Sequence, residues 1–227
     1  MRTLLPLIAM LLALAGPAGA QEQPGWDSLM MVHAYTASST LGGDDPFAEQ
    51  PSRYAARNMG DGDPATCWAE GAAGRGLGER VHILLDGSPA ALSAVNGYAK
   101  SRSTFAGNGR VKAFTATLLH AFNLPGDVTE VATLYHCRPF PRRPVIGLDD
   151  TAAPQSLPFP FDWDAVREDA ALARVRFEAD LGDEIVRRRE GAAAFAIAQA
   201  VILRLEIADV YPGTKYDDTC VSELTFQ

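Results

Sequence analysis

Short alternating segments separated by turn clusters constrain this chain more than any other feature. Arg80 to Leu85 places Val81, Ile83 and Leu85 on one face. Leu92 to Tyr98, Arg110 to His120, Ile202 to Ile207 and Val221 to Phe226 read the same way, and Val128 to Tyr135 reads as a further strand. A side-chain period of two marks a strand with one face buried. Val32 to Thr40 alternates and is rich in Thr and Ser, which suits an edge strand leading into a loop. The Gly42-Gly43-Asp44-Asp45-Pro46 cluster then turns the chain. Many short strands with turns between them predict an all-β sandwich or barrel.

A late stretch breaks that pattern. Arg138 to Pro160 is rich in proline, Trp163 to Ala173 has helical spacing with Asp162 as its N-cap, and Glu184 to Ala200 also reads as helical. The region of about 138–200 is therefore expected as a partly helical insertion. Trp163, Val166, Ala170 and Ala173, with Ala192, Phe195 and Ile197, form its apolar faces. They serve either to pack on the sandwich or to dock another protein.

Residues 1–20 have the form of a cleaved export signal: Arg2, an apolar run from Leu4 to Leu14, and Ala18-Gly19-Ala20 before Gln21. The apolar run is too short for a membrane span. Residues 21–31 read as a linker and 32–227 as one domain, with a periplasmic or secreted location expected. The net charge of −8 disfavours nucleic acid as a partner. Cys67, Cys137 and Cys220 carry no CxxC or zinc spacing, and export permits one pair to oxidise.

The segment from Asn58 to Trp68 is the densest in chemistry. Asp61 and Asp63 flank Gly62, and Thr66 follows within reach. Hard oxygen ligands on a turning loop suit Ca²⁺. The same pattern also suits a plain turn held by Asx hydrogen bonds.

This Asn58–Trp68 string resembles the loop of discoidin domains, the coagulation-factor C-type or galactose-binding-like family. The resemblance continues through Asn96-Gly97-Tyr98-Ala99-Lys100-Ser101, Asn108-Gly109-Arg110-Val111-Lys112 and the stretch from Asp209 to Leu224. It is most similar to the translocation-type branch found beside secreted bacterial NAD glycohydrolases. The resemblance implies a jelly-roll sandwich and a structural Ca²⁺ held by Asp61, Asp63, Thr66 and Glu223, with a carbonyl of Asn58. If Thr66 and Glu223 share an ion, Cys67 and Cys220 come close enough to bridge. It also implies a carbohydrate ligand without catalysis. Tyr98, Lys100, Arg102, Asn108, Arg110, Tyr211, Lys215 and Tyr216 are the candidates for holding the sugar, by ring stacking and planar polar contacts.

Two alternatives stand beside the sugar reading. A protein-interaction module could use the same fold, and a secreted hydrolase is the remoter one. No G-x-S-x-G, H-E-x-x-H or Gly-rich phosphate loop is present, and the four histidines are scattered. Asp149-Asp150 and Asp217-Asp218 are paired carboxylates, but neighbours in extended chain point to opposite faces.

Overall fold

The computed structural model describes residues 25–190 and 195–227. The expected signal segment, the start of the linker, and Gly191 and Ala192 lie outside the described residues. Eleven strands form one hydrogen-bonded network: β1 Asp27–Met31, β2 Tyr35–Ala37, β3 Trp68–Ala69, β4 Arg80–Leu84, β5 Ala91–Asn96, β6 Gly109–Asn123, β7 Thr133–Pro139, β8 Val145–Gly147, β9 Gln155–Pro158, β10 Ala198–Tyr211 and β11 Thr219–Phe226. The helices are α1 Arg102–Gly107, α2 Trp163–Asp180 and α3 Gly182–Glu190, with a 3-10 turn at Ala56–Gly60.

The long strand β6 organises the sheet. One edge pairs with β10 over nearly its whole length. Its other edge passes from β11 at Gly109 and Arg110, to β8 at Ala113–Thr115, to β7 at Leu119–Phe122. β2, β4, β10 and β6 make one layer; β3, β11, β5 and β9 make the other. Among the described residues, strand pairing joins the two layers only at the short parallel ladder of β6 with β11. Val81, Ile83, Phe114, Leu118, Leu203 and Leu205 of the first layer share one core with Trp68, Leu92, Ala94, Val221 and Leu224 of the second. This is the expected jelly-roll-like sandwich. Truncating a fully buried ring such as Phe114 to alanine costs about 3–5 kcal/mol.

Several expected boundaries shift. The linker reading ends early, because Asp27–Met31 pairs with β7 and Trp26 is buried. The strand expected over Val128 to Tyr135 lies instead at Thr133–Pro139. The proline-rich part of the insertion supplies two strands, β8 and β9, which exist because β6 and β5 offer them edges. The expected helix over Glu184 to Ala200 is described as far as Glu190, and Ala198–Ala200 are strand instead, extending β10. The alternation expected in β6 also breaks. Ala208 in β10 and Lys112 in β6 are the extra residues at two register shifts, so Val111 and Phe114 both face inward.

Asp162 caps α2 as expected, accepting from Asp164 N. The helix covers the inner face of β6 where the second sheet no longer reaches. Ala173 and Phe177 pack on Phe122, Leu124 and Trp26, and Asp169 contacts His120 Nε2 at 2.9 Å. Val166 joins the main core, and Trp163 stacks on Phe159 at 5.2 Å and donates to the Pro89 carbonyl. The predicted apolar face of α2 therefore packs inward and is not free for a partner. No helix among the described residues is long and apolar enough to cross a membrane.

Candidate functional site

The Asp61 loop is built from its own polar groups. Asp61 Oδ1 accepts from Asp63 N at 2.8 Å and Asp63 Oδ1 from Ala65 N at 2.9 Å, two successive Asx turns. Thr66 Oγ1 lies 2.8 Å from Asp61 Oδ2 and 2.9 Å from the Asp63 carbonyl. Gly62, at φ +78°, supplies the left-handed residue between the two aspartates. The Asn58 side chain has a structural part of its own, separate from the carbonyl expected at the ion. Its buried amide donates to the carbonyls of Ser52, Arg53 and Cys67, and so clamps the loop.

Glu223 of β11 stands under this loop. It is 7% exposed, and neither carboxylate oxygen has a well-formed hydrogen-bond partner among the described residues, although the Asp61 carboxyl and Gly62 N stand close to it. Burial first, then the neighbouring Asp61 carboxylate, push its pKa up to about 7. A buried carboxylate facing another carboxylate is costly unless a cation or proton joins them. No three His, Cys, Asp or Glu side chains among the described residues already converge at metal spacing. A cation here would therefore draw on mixed oxygens: the carboxylates of Asp61 and Glu223, the Thr66 hydroxyl, Asp63 and loop carbonyls. That donor chemistry fits calcium.

Cys67 and Cys220 share one small buried cluster with Ala69 and Tyr98. Both are thiols in this structure. The neighbouring Cys67 thiol first, then burial, hold Cys220 well above the ordinary thiol range. Cys137 sits apart, among Met31, Leu119, Ala121 and Ile202, where burial raises it to about 12.

Four of the expected ligand residues are engaged in structure. Tyr98 is buried, edge-on to Tyr54. Asn108 closes α1 by donating to the Thr104 carbonyl at 2.7 Å. Arg110 grips Asp150 with two nitrogens at 2.9 and 2.8 Å, and donates to the carbonyls of Asn108 and Pro212. Its guanidinium also lies 5.2 Å from the Phe105 ring. Tyr211 donates to the Leu148 carbonyl. Residue type alone shows what such groups can bind, and folding has given each a partner inside the chain.

Lys100, Arg102, Lys215 and Tyr216 remain exposed. The turn carrying Lys215 and Tyr216 is tied to α1: Thr214 N donates to the Ala106 carbonyl, and Lys215 N and Tyr216 N both donate to that of Gly107. The Tyr216 ring is 46% exposed, with the Lys215 ammonium 4.9 Å from its centre. Lys100 and Arg102 flank Ser101, whose hydroxyl accepts from Thr104 N to cap the same helix.

A cleft that no motif announced runs beside β2. It measures about 300 Å³ and is lined by residues 35–40 with His33, Asp44, Pro46 and Ala56. The sequence marked this segment only as an edge strand rich in Ser and Thr.

Residues 26–129 match the family model described as NAD glycohydrolase translocation F5/8 type C domain. No curated protein shows a significant sequence match to the chain. Among solved structures, the chain is similar to the F5/8 type C domain of a Bacteroides fragilis protein. The identity is 12%, coverage is 89% of this chain and 95% of that one, and the TM-score is 0.37. It is also similar to the arabinofuranosyltransferase AftD from Mycobacteria, with 13% identity, 88% and 10% coverage, and a TM-score of 0.39. A Ruminococcus gnavus fucosidase in complex with fucose matches at 10% identity, 90% and 25% coverage, and a TM-score of 0.32. The chain spans about a tenth of the transferase and a quarter of the fucosidase. The family match rests on the stretch from Trp26 to Thr129, which holds the Asp61 loop, β2 to β5 and all of β6. Over that stretch, a little under half of its length, the chain is similar to a discoidin-like domain of the F5/8 type C kind.

Proposed function

We propose that this chain is a non-catalytic recognition module of an exported protein, pinned by calcium, with a carbohydrate as its ligand. F5/8 type C domains commonly bind carbohydrate or protein. The observation that supports the sugar reading most directly is the surface around α1. There an exposed tyrosine ring and the cations Lys100, Arg102 and Lys215 have no structural partners among the described residues other than one another. A ring offers a stacking face to a sugar's C–H side, and flexible donors read hydroxyls.

Two of the polar groups with catalytic potential are engaged within the fold. Asp150 of one carboxylate pair is held by Arg110, and His120 is buried against Asp169. Calcium would be held by Asp61, Asp63, Thr66 and Glu223. It would supply positive charge that offsets the Glu223 carboxylate and ties the loop to β11. Oxidation of Cys67 and Cys220 to a disulfide would lock the same junction.

The test is a glycan array probed in calcium with the wild type and with Tyr216→Ala/Lys215→Ala. Binding to a related group of sugars by the wild type, lost in the double variant, is the expected result. A blank array from folded wild-type protein would remove the carbohydrate reading.

A further inference from the structure

The cleft beside β2 has an unusual distribution of engaged and unengaged groups. Its side chains are largely occupied. Ser38 and Ser39 donate their hydroxyls to Glu79, Tyr35 gives its phenol proton to the Leu224 carbonyl at 2.7 Å, and His33 Nε2 lies 2.7 Å from the Pro46 carbonyl. The Tyr35 ring lies against Gly60, where a Cβ would come within 2.5 Å of it. The cleft therefore offers a sugar no free tyrosine face and few free hydroxyls.

Its backbone is different. β2 pairs with β4 alone, Thr36 facing His82. Leu84 N donates to the Ala34 carbonyl, and Ser38 N to that of Arg80. These bonds fix the parity: residues 34, 36 and 38 address β4. In an antiparallel ladder the residues between them turn their N–H and C=O to the opposite edge. Tyr35 and Ala37 therefore present their N–H and C=O groups to the cleft, and none has a hydrogen-bond partner among the described residues. Two residues on one edge, each with a donor and an acceptor at strand spacing, match another extended backbone.

From this we infer that the cleft is a strand-addition site: an extended polypeptide segment of a partner pairs with Tyr35 and Ala37 and extends the sheet beyond β2. The bond set is main-chain, so affinity comes from the ladder. Selection falls to side chains that fit between Thr36, Thr40 and the wall of Asp44, Pro46 and Ala56. An edge this short and walled admits one brief strand and resists open-ended sheet growth. The site is separate from the α1 surface and stands whether or not that surface binds sugar.

The discriminating variant is Ala37→Pro. It removes only an outward N–H, since Ala37 N makes no bond to β4, and proline is tolerated in an edge strand at that kind of position. A phage-displayed library of random linear peptides is panned on the whole chain in calcium, and the recovered sequences are synthesised. The expected result is peptides whose affinity falls about tenfold or more in Ala37→Pro, the loss of roughly one well-made backbone bond. N-methylation of the peptide should weaken binding at alternate residues only. On wild-type protein, bound peptide should slow amide hydrogen exchange at Tyr35 and Ala37, a readout independent of whether the variant folds. Failure to recover any such peptide, equal affinity for the variant, or unchanged exchange at these two amides would overturn the inference. Loss of glycan binding in Ala37→Pro, with Tyr216→Ala/Lys215→Ala unaffected, would overturn it too and move the sugar into this cleft.

Discussion

Glu70 and Glu223 are both buried carboxylates against β11, yet they are opposites. Glu70 is fully buried; it accepts from Thr219 N at 3.2 Å and from Ala72 N at 2.8 Å. Its side chain also fills the space beside Gly76, where a Cβ would come within 2.5 Å of it. Glu223 lies at the other end of the strand's buried run and has no well-formed hydrogen-bond partner among the described residues. Burial raises the pKa of both, but only Glu223 has another carboxylate as its principal neighbour. The difference teaches how to read polar groups in this fold. A satisfied buried charge is a structural tie, whereas an unsatisfied one marks a place that something else completes. Arg110 belongs with Glu70, and the free edge of β2 belongs with Glu223.

The comparison can be broken most forcefully at Glu70. Glu70→Ala leaves two backbone donors without their acceptor, and should cost about 2–4 kcal/mol in denaturant unfolding. In chelator, Glu223→Gln should be neutral or slightly stabilising, because it removes a buried like-charge contact. Equal losses at the two sites would erase the distinction.

The neighbouring thiols sharpen it next. Oxidised protein should yield a Cys67–Cys220 cross-linked peptide in a non-reducing digest, and reduction should lower stability by about 2–4 kcal/mol. A cross-link through Cys137 would contradict the separate clusters seen here.

A smaller effect comes from His82. Burial first, then Arg204 and Arg80, lower its pKa from the usual 6.5 to about 4. His120 is lowered in the same direction, chiefly by burial. The unfolded chain therefore binds protons before the fold does, so stability present above pH 6.5 is lost as pH falls towards 4. The raised Glu223 carboxyl acts in the opposite sense between about pH 7 and 4.5. The His82 contribution is therefore read as a difference: relative to wild type, His82→Gln should gain stability as pH falls from 6.5 towards 4. A slope identical to wild type would show that His82 is not among the groups responsible.

Tyr216→Ala should have the least effect on stability. Its ring is exposed, so unfolding should change by no more than about 0.5 kcal/mol. A large loss would place Tyr216 with the structural ties and withdraw it from the proposed sugar surface.

Much of the fold was legible because apolar alternation is written locally. Val81 with Ile83, and Leu203 with Leu205, face the core as their spacing requires. β8 and β9 were not legible: they are short, proline-flanked and created by the edges of β6 and β5. Ala198–Ala200 have residues that favour helix, yet pairing with Ala121–Asn123 makes them strand. The acidic loop could be read because Asp-Gly-Asp dictates its own turns. Arg110 and Tyr98 could not, since a guanidinium or a phenol ring does not reveal whether its partner is Asp150, Tyr54 or a ligand. The β2 cleft was hidden because its free groups are backbone, which every residue carries.

The most direct measurement is a thermal melt of chelated protein with and without added Ca²⁺, on wild type and on Glu223→Gln. The account predicts a calcium-dependent rise in wild type, about 2.7 kcal/mol of stabilisation at a hundredfold excess over Kd. It predicts no rise in the variant. A wild-type melt indifferent to calcium, or a variant that keeps the full response, would contradict the claim that Glu223 and the Asp61 loop form a calcium site.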